Sequence, residues 1–184
     1  MDADRYAEAF RLNLSLPGNV NAFIGAIRFA EGTSAPEGWR ALYGWRKGRD
    51  DRLFTDLSAH PRRRFWIVTG EEVQPGEPFG PTETTTAAGA LQINWPTWSD
   101  YTTWRVRQGL APDMFDQVGQ TGCGVWLLKE RAHCYEDVIA GDFEVAVAKA
   151  SIVWASLPGS LAGQHPRAMT EVKTAYLNCG GLVA

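Results

Sequence analysis

The chain has 184 residues, 45% hydrophobic and 21% charged, enough for one domain with a real core and a cleft in it. These proportions exclude a collagen-like, fibrous or disordered chain. A formal net charge of −3 argues against a nucleic-acid binder and gives no long-range pull toward an anionic polymer, so local contacts must capture any such substrate.

Met1-Asp2-Ala3-Asp4-Arg5 carries no basic segment followed by an apolar run, so no secretory signal is expected. No apolar stretch approaches the roughly 20 residues that cross a bilayer. The first predicted helix is capped by Asn19 or Asn21 and runs to about Glu31, with Phe23, Ile24, Ile27 and Ala30 at helical spacing. Gly32 follows, where a helix prefers to stop. Glu31 thus falls in the last turn, where the negative end of the helix dipole disfavours another carboxylate charge.

From Trp39 to Trp66, Gly44, Gly48 and Pro61 interrupt short apolar runs, which predicts turns and short strands. Residues 69–88, with Pro75, Gly76, Pro78, Gly80 and Pro81, predict a long loop or exposed hairpin, a length associated with function. Helices are predicted over 95–107, 119–133, 142–154 and 167–178. The clearest, 142–154, aligns Phe143, Ala146, Val147, Ala150, Val153 and Trp154 on one face, and Gly180-Gly181 closes the last. The fold class is α+β, mainly α, with the small β element forming one wall of a cleft, and residues 1–184 forming one catalytic domain.

Three cysteines, Cys123, Cys134 and Cys179, form no CxxC pair. If one helix carried both Cys123 and Cys134, they would lie about 16 Å apart, too far for a disulfide. Three reduced thiols are expected. His60, His133 and His165 are the only histidines, and neither a metal site nor a cofactor is predicted.

Four segments hold candidate chemistry. Arg28-Phe29-Ala30-Glu31-Gly32-Thr33 ends an apolar helix on an acid. Leu53-Phe54-Thr55-Asp56-Leu57-Ser58-Ala59-His60-Pro61-Arg62 is a polar turn. In Ala88-Gly89-Ala90-Leu91-Gln92-Ile93-Asn94 the glycine admits close approach to the backbone, and Gln92 offers a donor and an acceptor to sugar groups. The plainer reading is a tight turn with an exposed Gln92. The fourth is Ile152-Val153-Trp154-Ala155-Ser156-Leu157-Pro158-Gly159. Asp56 is either a second carboxylate or a turn residue bonding nearby amides. His60 before Pro61 suits a structural hydrogen bond. Trp95, Trp98, Trp104 and Trp126 read as core, whereas Trp39, Trp45 and Trp66 are better placed for stacking under a sugar ring.

Together the four segments, with Lys129-Glu130-Arg131 between the third and fourth, resemble in order and approximate spacing the phage lambda-type endolysins, a family of lytic transglycosylases with a lysozyme-like fold. The resemblance runs from about Ala22 to Gly181. It implies a two-lobed fold, Glu31 as the catalytic acid, and a substrate-binding set of Asp56, Ser58, His60, Gly89 and Gln92. The chain departs from the family pattern at Ala90-Leu91 and Ala162, in a longer insert around residues 74–86, and in a more charged stretch over 45–51.

The implied substrate is the peptidoglycan glycan strand, cut at the β-1,4 bond between N-acetylmuramic acid and N-acetylglucosamine. The resemblance also implies a monomer without nucleic-acid or membrane partners. It further implies synthesis in the host cytoplasm and action in the periplasm after release through a holin-type pore. Competing readings are a hydrolytic muramidase that uses Asp56 as second carboxylate, and an inactive glycan-binding virion component.

Overall fold

The computed structural model describes residues 16–80, 82–161 and 166–184. Met1 to Arg5, Pro81, Ala162 and His165, named above, lie outside the described residues. The chain is mostly helical with one small antiparallel sheet, and it divides into two compact units. One comprises the chain up to Gly32 with Thr121–Ala184, the other Thr33–Gln120.

The first unit is organised by helix α1 (Gly18–Ala30), whose buried residues include Val20, Phe23, Ile24 and Ile27. Phe23 meets Phe143 and Tyr176 edge-on at centroid distances of 6.1 and 6.4 Å, an arrangement favoured by the ring quadrupoles. The expected asparagine cap is corrected: Pro17 precedes the helix without a side-chain cap. Its carbonyl accepts from Val20 and Asn21 N–H. Asn19 instead donates to the Ile139 carbonyl and accepts from Leu182 N–H at 2.8 Å, so a long-range tie takes the side chain that local pattern assigned to capping.

The remaining helices depart from expectation at their ends. Helix α3 is Gln117–Glu130, and the chain then turns through a left-handed His133, φ 51°. Cys123 and Cys134 therefore share no helix; both are buried, and none of the three cysteines forms a disulfide. Helix α4 (Tyr135–Ala140) was not expected, because six residues are too few to display an amphipathic period. Helix α5 stops at Ala150 rather than 154. Val153 N–H bonds the Ala150 carbonyl at 2.9 Å, a tighter i to i−3 turn that still buries Trp154. Helix α6 (Met169–Asn178) closes with Gly180 N–H on the Leu177 carbonyl and Gly181 N–H on that of Tyr176, the paired bonds of a Schellman stop.

In the second unit, helix α2 (Trp95–Arg107) has the predicted limits. Strands β1 (Phe65–Trp66) and β2 (Thr84–Thr85) pair antiparallel, Phe65 opposite Thr85, and most of the segment predicted as a long loop or exposed hairpin is the connection between them. Single bridges Ala41↔Leu53, Leu42↔Ala88 and Ala88↔Ile93 knit the irregular chain around them. The core here is aromatic: Phe115 packs on Phe54, His60 and Trp98 at 5.7, 4.6 and 4.8 Å.

Candidate active site

Glu31 is the residue on which α1 ends. It keeps helical backbone angles, and its N–H bonds the Ile27 carbonyl. Gly32 then turns left-handed at φ 73°, a conformation glycine adopts without a Cβ penalty. The carboxyl is held by one side chain: Ser156 Oγ donates to Glu31 Oε1 at 2.7 Å. Burial pushes the Glu31 carboxyl up to about 7, against the opposing pull of that hydrogen bond. Burial disfavours the anion because the surroundings solvate charge poorly, whereas a donor to the carboxylate favours it. A carboxyl group poised near neutrality is suited to proton transfer in either direction.

Ser156 was not singled out from sequence, although its segment was. The signal was the order Trp154-Ala155-Ser156-Leu157-Pro158-Gly159. What it lacked was any indication that the hydroxyl turns back to a residue 125 positions away.

In the second unit, Gly89 to Gln92 form a turn closed by two bonds between Ala88 and Ile93 backbones, 2.8 and 3.1 Å long. Gly89 is left-handed, φ 74°. A Cβ there would lie 2.2 Å from Gln120 Oε1, so a side chain of the same unit fills the space that glycine leaves. Gln120 is fully buried. It accepts from Ala90 N–H at 2.8 Å and donates to the Trp39 and Phe115 carbonyls. Sequence reading missed it, since a glutamine in a helix has no distinguishing pattern.

Gln92 is itself left-handed, φ 47°, a conformation costing about 1 kcal/mol in a non-glycine residue and concentrated at functional sites. Its Nε2 donates to the Gly89 carbonyl, the residue is partly exposed, and no group among the described residues donates to its Oε1.

His60, only 3% exposed, supports this turn. Arg62 N–H donates to Nδ1 at 3.0 Å, so Nε2 carries the proton and donates to the Ile93 carbonyl at 2.9 Å. Burial drives its pKa down to about 4, leaving a neutral ring. Both nitrogens are spent on backbone, which makes His60 a support for the turn. Exposed Asp56 accepts from Ser58 N–H at 2.8 Å. The Ser58 hydroxyl and N–H hold its carboxyl below the usual range, the turn role of the two offered above.

Trp98 and Trp126 are buried as core. Trp95 and Trp104 are partly exposed, as are Trp39, Trp45 and Trp66. The expectation of core for Trp95 is corrected: the Arg62 guanidinium lies 3.5 Å from its ring centroid.

The fold is that of a phage lysozyme. It matches lysozyme of bacteriophage lambda complexed with a chitohexasaccharide with a TM-score of 0.70 at 24% identity, covering 92% of this chain and 99% of that one. A second structure of lysozyme from bacteriophage lambda gives a TM-score of 0.68 at 23% identity, with the same coverage. Two curated relatives are the endolysins of Escherichia phage P2 and Escherichia phage lambda, each 28% identical. They are matched over 90% and 88% of this chain and 95% and 91% of their own lengths. The endolysin family model matches residues 21–183. The chain belongs to the endolysin family, and with it to the enzymes that cleave peptidoglycan.

Proposed function

We propose that this endolysin-family chain is a lytic transglycosylase in which Glu31 serves first as acid and then as base. The protonated carboxyl donates to the glycosidic oxygen, and the bond to C1 of the muramic residue breaks with oxocarbenium-like charge at C1. The Glu31 carboxylate then takes the proton from the C6 hydroxyl as O6 bonds to C1. A 1,6-anhydro ring results, Glu31 is protonated again, and no water is consumed.

The observation that carries this reading is the Glu31 carboxyl, raised to about 7 by burial and held by Ser156. Such a group is protonated in a useful fraction near neutrality and is a competent base once it has lost its proton. Asp56 is a poorer second carboxylate for a hydrolase, because it is ionised, exposed and committed to Ser58. Gln92, with its open acceptor on a strained backbone, is suited to N–H or hydroxyl donors of a sugar.

The deciding experiment is mass spectrometry of the fragments released from purified sacculi. Anhydro-muropeptides, lighter by one water than hydrolysis products, are expected from the wild type and none from Glu31→Gln. Reducing ends alone would replace the transglycosylase reading with hydrolysis. Undiminished cleavage by Glu31→Gln would remove Glu31 from the chemistry.

A further inference from the structure

Arg62-Arg63-Arg64 sets three cations in succession in the second unit, and two are spent within it. Arg63 forms a two-pronged ion pair with Glu72, and Arg64 donates to Thr84 Oγ1 at 3.0 Å. Arg62 is different. It is exposed, its guanidinium carbon lies over the Trp95 ring at 3.5 Å from the centroid, and no acid among the described residues pairs with it.

Its placement is also built in. The Arg62 backbone is left-handed, φ 55°, a strain of about 1 kcal/mol for a non-glycine residue. Its N–H is fixed to Nδ1 of buried His60, whose Nε2 is fixed to Ile93. Trp95, under the guanidinium, begins α2 directly after the turn that bears Gln92. Arg62 is therefore tied at both its backbone, through His60, and its head group to the Gly89–Trp95 segment.

Stacking on an indole restrains the guanidinium plane and leaves its edge N–H donors open. A planar fork of that kind matches a carboxylate. We propose that Arg62, seated on Trp95, is the anion-recognition point of a substrate subsite and receives a carboxylate carried by the glycan strand. The source is either the lactyl group of a peptide-free muramic residue or the stem peptide. This inference rests on the peptidoglycan reading and deepens it, since an uncharged β-1,4 glycan offers Arg62 neutral acceptors but no carboxylate.

Co-sedimentation measures binding to three preparations: native sacculi, sacculi with their carboxylates converted to amides, and sacculi stripped of peptides by an amidase. Wild type is expected to bind native sacculi about tenfold more tightly than amidated ones, the worth of one charge-assisted two-pronged contact. Arg62→Met is expected to bind both as weakly as wild type binds the amidated form, so the two changes are not additive. Arg62→Lys, which keeps the charge, retains part of the preference and repeats the comparison should the Met variant unfold early. Peptide-free sacculi that wild type binds more tightly than Arg62→Met does assign the lactyl carboxylate; equal binding of them by the two proteins assigns the stem.

Equal losses on amidation for wild type and Arg62→Met would overturn the proposal, as would unchanged binding of native sacculi by that variant. Because binding is read apart from product mass, a finding of hydrolytic ends would revise the reaction and leave Arg62 where it stands.

Discussion

Ser156 Oγ donates to Glu31 Oε1 at 2.7 Å, joining the loop after α5 to the residue that caps α1. Two influences on one proton meet there: burial favours the neutral acid and the hydroxyl favours the anion, and burial is the larger. A proton donor with a pKa near 7 sets the alkaline side of the rate profile. The rate of sacculus cleavage is expected to be level below about pH 7 and to fall about tenfold per pH unit above it. Ser156→Ala removes the favour to the anion, so the falling limb moves to higher pH, while Ser156→Thr holds it near the wild-type position. A limb that stays put in Ser156→Ala would show that the hydroxyl does not govern the proton.

Glu31 also links stability to pH. Its pKa is raised on folding from 4.5 to about 7, so the folded state holds the proton more tightly, and stability declines as pH rises through that interval. The decline attributable to Glu31 is roughly 3 kcal/mol across the full shift. Glu31→Gln, which cannot ionise, is expected to be the more stable protein at pH 8 and to lose its advantage at pH 4. Denaturant unfolding at several pH values reads this directly, and parallel curves for the two proteins would contradict it.

His60 works in the opposite sense. Its pKa falls on folding from 6.5 to about 4, so the unfolded chain binds the extra proton, and stability is lost as pH drops through that range. At pH 5 the loss is about 2 kcal/mol relative to pH 7. A variant such as His60→Gln is destabilised at pH 7 by broken bonds to Ile93 and Arg62, yet it should show a shallower acid decline. An acid slope as steep as that of the wild type would assign the titration elsewhere.

Gly89 and Gln120 form a matched pair. Gly89→Ala places a Cβ 2.2 Å from Gln120 Oε1 on a left-handed backbone, and a loss of about 2–4 kcal/mol is expected from overpacking and strain together. Gln120→Ala opens the space but removes the bonds to Ala90 N–H and to the Trp39 and Phe115 carbonyls, costing about 1–3 kcal/mol for a buried group left unsatisfied. The double variant should lose less than the sum, because the clash disappears with the glutamine. Strict additivity in chemical denaturation would mean that the two do not share the space.

The features readable from sequence alone were those set by neighbours along the chain. Hydrophobic spacing and a following glycine located α1, its stop at Gly32 and the acid before that stop. The limits of α2 matched because Trp95-Pro96 and Gly109 punctuate it locally. Gly89 was correctly read as a turn glycine but for an incomplete reason, since its left-handed backbone is local while the side chain packed above it is not.

Tertiary structure alone decided where the polar side chains were spent. Asn19 went to Leu182 rather than to a helix cap, Gln120 to the Gly89 turn, and Ser156 to Glu31. Arg62 went to the face of Trp95. A side-chain hydrogen bond is worth little until burial removes the competing water. Its partner is therefore chosen by whatever packing brings close, at separations in sequence where no periodicity survives.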